Sequence, residues 1–191
     1  MSLDSVMQLQ GMNEMMKAQL NTYPVSTIMI FGIAGGNGLE HIQKDKLERV
    51  YGVDINSSYL QAVTQRYPEL NGLLECLHVN LMDKTSRLPK ADLVIANLVI
   101  EYIGYECFQR AVRQVNPIYV SCIIQINTKG HWVSNSPYLH VFDCLDQVHH
   151  EMDVSALEKA MLGLGYQQMK ALEHMLPNKK KLVQIDFRRY R

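Results

Sequence analysis

The sequence predicts an α/β fold, a three-layer sandwich in which helices cover both faces of a mostly parallel sheet. Three observations carry the prediction. Apolar runs such as Ile28-Met29-Ile30-Phe31 and Leu93-Val94-Ile95-Ala96 read as strands buried on both faces. Between such runs lie segments with helical spacing, as in Leu60, Val63 and Tyr67 or Phe108, Ala111, Val112 and Val115. Alternation of this kind needs crossover connections, and these impose parallel pairing. Two closing strand-like runs on either side of Pro177-Asn178 add a C-terminal antiparallel hairpin.

Each element has a local reason. Leu3, Val6, Met7, Met12, Met15, Met16 and Leu20 recur at loose helical spacing interrupted at Gly11, so one or two short helices precede the main fold, ended by Tyr23-Pro24. The first strand stops at glycines. Leu39, Ile42 and Leu47 predict a helix, and Val50-Tyr51-Gly52-Val53 a short strand. Asn56-Ser57-Ser58 starts the next helix and Pro68 marks its end. Residues 73–79, 92–96 and 118–126 read as strands, 81–90 as loop, and 127–153 as a long irregular stretch. Asp153, or Ser155 with Glu158, caps a helix that ends at Gly163 and Gly165. Residues 166–175 and 181–188 form the hairpin.

Composition narrows the function classes. With 191 residues, 47% hydrophobic and 20% charged, the chain reads as a single domain with one sizeable core. Nineteen basic residues balance nineteen acidic ones, so no nucleic-acid partner is expected. The apolar run around residues 28–36 is about half of what a spanning helix needs, and no signal peptide is visible, so neither membrane nor export is expected and the location is read as cytoplasmic. Cys76, Cys107, Cys122 and Cys144 stand 31, 15 and 22 residues apart, without a Cys-x-x-Cys pair, which predicts reduced thiols. His131, His140, His149 and His150 lie near Asp143, Asp146 and Asp153, but their spacing is not that of a metal site, and no metal is predicted. Assembly as a homodimer is left open.

The strongest local signal is Gly32-Ile33-Ala34-Gly35-Gly36-Asn37-Gly38, placed between a buried strand and a helix pattern. Small residues there let a ligand approach backbone, with a helix N-terminus aimed at it. A phosphate-binding P-loop would need a following Lys, which is missing. A dinucleotide fingerprint starting at Gly36 would place His41 at its third small position, too large for close helix–strand packing. A nucleotide-binding oxidoreductase is thereby disfavoured.

The segment resembles the nucleoside-binding loop of class I S-adenosylmethionine (SAM) methyltransferases. Gly32 stands where that family has an acid, and Ala34 replaces its first glycine. Asp54, sixteen residues beyond Gly38, closes the second strand where the family's acid holds both ribose hydroxyls. Residues 76–83 resemble the third-strand segment that meets adenine, with Asn80 or Asp83 as the polar group and Leu81 and Met82 beside the ring. Residues 91–102 resemble the fourth-strand segment, with Asn97 beside the methionine moiety. The resemblance implies a seven-stranded sheet of order 3-2-1-4-5-7-6 and SAM as cofactor. It assigns cofactor binding to Gly32, Ala34, Gly36, Gly38, Asp54, Ile55, Asn80, Leu81 and Asn97. Gly36 is expected where the cofactor passes within contact distance of the backbone.

The organisation expected is an N-terminal helical lid over 1–22, a cofactor-binding core over 25–126, a substrate-side loop over 127–152, and a closing helix and hairpin over 153–191. Catalytic residues stay unassigned; His131, Tyr138 and His140 in the loop are the candidates. The expected function is an enzyme's: methyl transfer from SAM to a small-molecule acceptor, mainly by in-line positioning. A non-catalytic SAM-binding protein is the alternative.

Overall fold

The structure, a computed structural model, describes residues 7–127, 150, 152–178 and 180–190. Seven strands form one sheet of order β3-β2-β1-β4-β5-β7-β6, as the resemblance implied. They are β1 (Thr27–Phe31), β2 (Arg49–Asp54), β3 (Leu74–His78), β4 (Leu93–Asn97), β5 (Tyr119–Asn127), β6 (Tyr166–Met175) and β7 (Lys180–Arg189). β1 pairs in parallel with both β2 and β4, and β4 with β5; β7 runs antiparallel to both β5 and β6. The strand order therefore reverses between β1 and β4, the topological switch point outside whose carboxyl ends sheets of this kind bind ligands.

Among the described residues four helices cover the sheet: α1 (Gln8–Thr22), α2 (Ser57–Arg66), α3 (Ile100–Val115) and α4 (Val154–Leu162). The alternation of side chains along each strand divides the core. Ile28, Ile30, Leu93 and Ile95 pack with Met16, Leu20, Leu60 and Val63 of α1 and α2. Met29, Phe31, Val94 and Ala96 pack on the other face with Phe108 and Val112 of α3 and Leu157 and Met161 of α4. Asn56 caps α2 by accepting from Ser58 and Tyr59 N–H, and Asp153 caps α4 by accepting from Ala156 N–H.

Asp92, the acid that opens β4, anchors the amino ends of the sheet. One of its oxygens accepts from the main-chain N–H and hydroxyl of both Ser26 and Thr27, at 2.8–3.2 Å. Burial raises the Asp92 pKa, but these four donors outweigh it and hold the carboxyl below its ordinary range.

α1 is one continuous helix through Gly11, where a side chain would lie 2.8 Å from His174 Nε2, so glycine permits close approach to β6. One expectation needs correction. The helix expected over Leu39, Ile42 and Leu47 is two short 3-10 turns, Leu39–His41 and Lys44–Lys46, because Ile42 and Gln43 are extended. Leu39 and Ile42 still reach the core. α3 buries the expected Phe108, Ala111, Val112 and Val115; it begins at Ile100 and bends at Gly104, whose φ is +71°.

Candidate functional site

At the carboxyl end of β1 the chain turns sharply. Gly32 N–H and Ile33 N–H both donate to Val53 O, at 2.8 and 3.0 Å, which draws the turn onto β2. Gly32 and Ala34 have φ of +68° and +46°, so the backbone coils back and leaves Ala34 and Gly35 exposed. A side chain at Gly35 would meet nothing within 4 Å. The glycine loop is open to a ligand at that point.

Asp54 closes β2 beside this turn. Its Oδ2 accepts Ala34 N–H at 2.9 Å and its Oδ1 accepts Asn56 N–H at 2.8 Å. A carboxylate oxygen has two lone pairs, so each keeps one for a further donor. Two adjacent ribose hydroxyls fit that provision. Ile55, 62% exposed, and Met82, 51% exposed, offer apolar surface nearby in sequence, whereas Leu81 is buried in the core. Asn80 is exposed; its Oδ1 accepts Met82 N–H at 2.9 Å and orders the turn after β3. Asp83 is spent on a tighter turn: its Oδ1 accepts from the N–H and hydroxyl of Thr85, and these bonds hold its pKa low. Of the two polar candidates for adenine, Asn80 has the freer side chain.

Two glycines do a different job from the one expected. A side chain at Gly36 would lie 2.9–3.2 Å from Tyr67, Leu39 and Val63. One at Gly38 would lie 2.5 Å from Met16 Cγ. Protein, rather than cofactor, occupies that space, and Tyr67 O–H donates to Gly36 O at 2.8 Å from the same side. The missing helix after the loop also removes the helix N-terminus expected to face the ligand. Gly32 has its own constraint: a Cβ there would meet Val99 Cγ2 at 3.0 Å. Val99 fills the room that an acid at position 32 would use.

At the carboxyl end of β4, Asn97 is committed to α1. Its amide pairs reciprocally with Gln19, at 2.9 and 2.8 Å, and its second N–H donates to Met16 Sδ at 3.4 Å. Leu98 follows with φ +52°. Beyond it, Glu101 is 2% exposed. The last β4–β5 pair is Asn97 with Ile123, and the Gln125 N–H two residues further on donates to Glu101 Oε1 at 3.1 Å in place of a β4 carbonyl. Among the described residues Glu101 Oε2 has no hydrogen-bond partner. Burial pushes this carboxyl up to about 7, against two weaker opposing main-chain hydrogen bonds. Glu101 O also accepts His150 N–H at 2.7 Å, which sets His150 directly beside this residue.

Sequence reasoning missed Gln19, Val99 and Glu101. The signals were a glutamine on the apolar stripe of α1 and a glutamate closing the run Leu98-Val99-Ile100. His131, Tyr138 and His140 lie outside the described residues. Among the described residues no cluster of metal-ligating side chains occurs, and no helix is long and apolar enough to cross a membrane.

The strand order, with β7 antiparallel in an otherwise mostly parallel sheet, is that of the methyltransferase fold. Residues 30–118 match the family model described as "Methyltransferase domain". Over that segment the chain is similar to SAM-dependent methyltransferase domains. Solved structures show the same fold at low identity. The N-methyltransferase NodS from Bradyrhizobium japonicum WM9, in complex with S-adenosylhomocysteine, is 12% identical with a TM-score of 0.70, over 95% of this chain and 87% of that one. Geranyl diphosphate C-methyltransferase from Streptomyces coelicolor A3(2) is 12% identical with a TM-score of 0.69, over 95% and 77%. The [4+2]-cyclase SpnF is 7% identical with a TM-score of 0.70, over 94% and 80%. Among curated proteins, none matches the sequence.

Proposed function

We propose that the protein transfers the methyl group of SAM to a small-molecule acceptor, and that the Asp54 carboxylate holds the ribose of the cofactor. One observation carries the cofactor placement: both Asp54 oxygens are oriented by main-chain N–H groups and retain acceptor capacity, beside a turn whose Gly35 faces open space. With the ribose on β2, adenine extends toward β3 and Asn80. The methionine portion then extends the other way, over the ends of β1 and β4. Ile55 and Met82 supply apolar surface for the adenine ring.

The sulfonium supplies the leaving group, so the protein's task is to align the acceptor's nucleophile and exclude water. Acceptor binding falls to the space above the carboxyl ends of β4 and β5. Where the nucleophile must lose a proton, Glu101 is the described side chain suited to take it. Burial pushes its carboxyl up to about 7, and one oxygen lacks a partner among the described residues. The small-molecule class is supported by the neutral charge balance and by the geranyl diphosphate enzyme among the similar structures.

The test is a screen with methyl-labelled SAM against small amines, alcohols, phenols, carboxylic acids and thiols, beside RNA and protein extracts. Label on a small molecule, abolished in Asp54→Ala, supports the reading. Label confined to RNA or protein, or no label on any class, overturns it.

A further inference from the structure

Gln19 occupies a place on α1 where the apolar stripe of Met12, Met15, Met16 and Leu20 calls for hydrocarbon, and it is fully buried. Its amide is completely used. Nε2 donates to Asn97 Oδ1 at 2.9 Å and to Ser121 Oγ at 2.8 Å, while Oε1 accepts Asn97 Nδ2 at 2.8 Å. Ser121 passes the chain on by donating to Asp186, which also accepts from Tyr23 O–H at 2.7 Å and from Gln184 Nε2 at 3.0 Å. A buried polar ladder therefore runs under α1, and at its cofactor-side end stands Asn97. Docking a helix needs no such ladder, since leucine or methionine would fill the same space.

A second, independent feature lies at the same end. Leu98 has φ +52°, a conformation that a leucine rarely adopts and that its surroundings must enforce. Its N–H is fixed to Ile123 O at 2.8 Å, and the residue before it is the one locked by Gln19. The turn is held from both sides.

We infer that Gln19 is a positioning residue for the cofactor: through Asn97 it holds the Leu98 turn in the shape that receives the cofactor's amino-acid portion. This rests on the cofactor placement proposed above. Gln19 does not touch the ligand in this account; it keeps the end of β4 in its receiving conformation. α1 docking and cofactor binding are then linked, each strengthening the other.

The experiment measures dissociation constants of SAM, S-adenosylhomocysteine and 5′-deoxy-5′-methylthioadenosine, the last of which lacks the amino-acid portion. Gln19→Met keeps length and volume but removes every amide bond, and Asn97→Leu removes the pair from the sheet side. Both variants should bind the two amino-acid-bearing ligands about tenfold or more weakly, with the thioadenosine within about twofold of wild type. An equal loss on all three ligands, or no loss on any, overturns the inference. The wild type gives a reading that depends on no variant. Hydrogen exchange at Leu98 N–H should slow when S-adenosylhomocysteine binds and stay unchanged with the thioadenosine; an equal response to both also overturns it. A wild type that binds none of the three contradicts the cofactor placement itself, whereas selective failure of the variants to respond contradicts only the role of Gln19.

Discussion

Asp54 Oδ2 accepts the Ala34 N–H at 2.9 Å, joining the end of β2 to the turn after β1. The bond orients the carboxylate and shapes the loop at the same time. Asp54→Ala therefore removes two ribose acceptors and slackens the turn. Charge-assisted hydrogen bonds are worth about 1.5–3 kcal/mol each, so SAM affinity should fall about tenfold or more. Asp54→Asn, which keeps an acceptor for Ala34, should lose less. Calorimetry with both variants checks the order, and equal affinity in wild type and Asp54→Ala would refute the ribose assignment.

The glycines divide by what surrounds them. Gly35→Val points into open space and should leave unfolding stability within about 0.5 kcal/mol of wild type, as surface substitutions do. It should still weaken SAM binding, because the side chain enters the ligand's path. Gly36→Val meets Tyr67, Leu39 and Val63 at a φ of +74° and should destabilise by about 2 kcal/mol or more. Denaturant unfolding and SAM titration of the two variants separate these effects. The opposite pattern, a stable Gly36→Val that has lost SAM, would return Gly36 to the cofactor.

Glu101 makes stability depend on pH. The folded carboxyl titrates at about 7 against an ordinary 4.5. The native state thus holds a proton that the unfolded chain has released across that interval. Stability from this group is complete below about pH 4.5 and is lost as pH rises through 7, an amount of about 3 kcal/mol. Glu101→Gln, neutral at all pH, should flatten that slope and gain on wild type at pH 8 relative to pH 5.5. Urea unfolding at the two pH values checks it; parallel wild-type and variant profiles would show that Glu101 ionises normally.

Asp92 offers the contrast of an acid remote from those carboxyl ends of the strands. Its depressed pKa contributes stability above its ordinary 3.8, lost as pH falls toward the lower folded value. Asp92→Ala leaves the Ser26 and Thr27 N–H groups without their acceptor and should cost about 2–3 kcal/mol at pH 7. SAM affinity of the folded variant should stay within twofold. A selective loss of SAM binding would mean that the amino ends of the strands communicate with their carboxyl ends.

The sheet was legible because its central strands are continuous apolar runs; Ile28–Phe31 and Leu93–Ala96 pack on both faces and carry no competing period. The stretch from Leu39 to Leu47 departs from the helix its spacing predicts because Leu39 packs from a 3-10 turn and Ile42 and Leu47 from the extended residues that end the two turns. Gly36 and Gly38 show the limit of a loop motif. Glycine is required at both, yet the bodies that require it, Tyr67 and Met16, come from α2's end and from α1, and spacing cannot reveal them. The Gln19–Asn97 pair spans 78 residues and has no local signature beyond a polar residue on an apolar stripe. The position of Asp54 at the end of β2 was legible because a short apolar strand ending in an acid depends on chain order alone; its ribose role is what the resemblance implies.

The central claim is that the carboxyl ends of β1, β2 and β4 hold SAM. Its most direct test is calorimetric titration of the purified chain with SAM, S-adenosylhomocysteine and NAD in parallel. The account predicts saturable binding of the first two at one site per chain, weakened in Asp54→Ala, and no binding of NAD. Binding of NAD with no response to SAM or S-adenosylhomocysteine would contradict it.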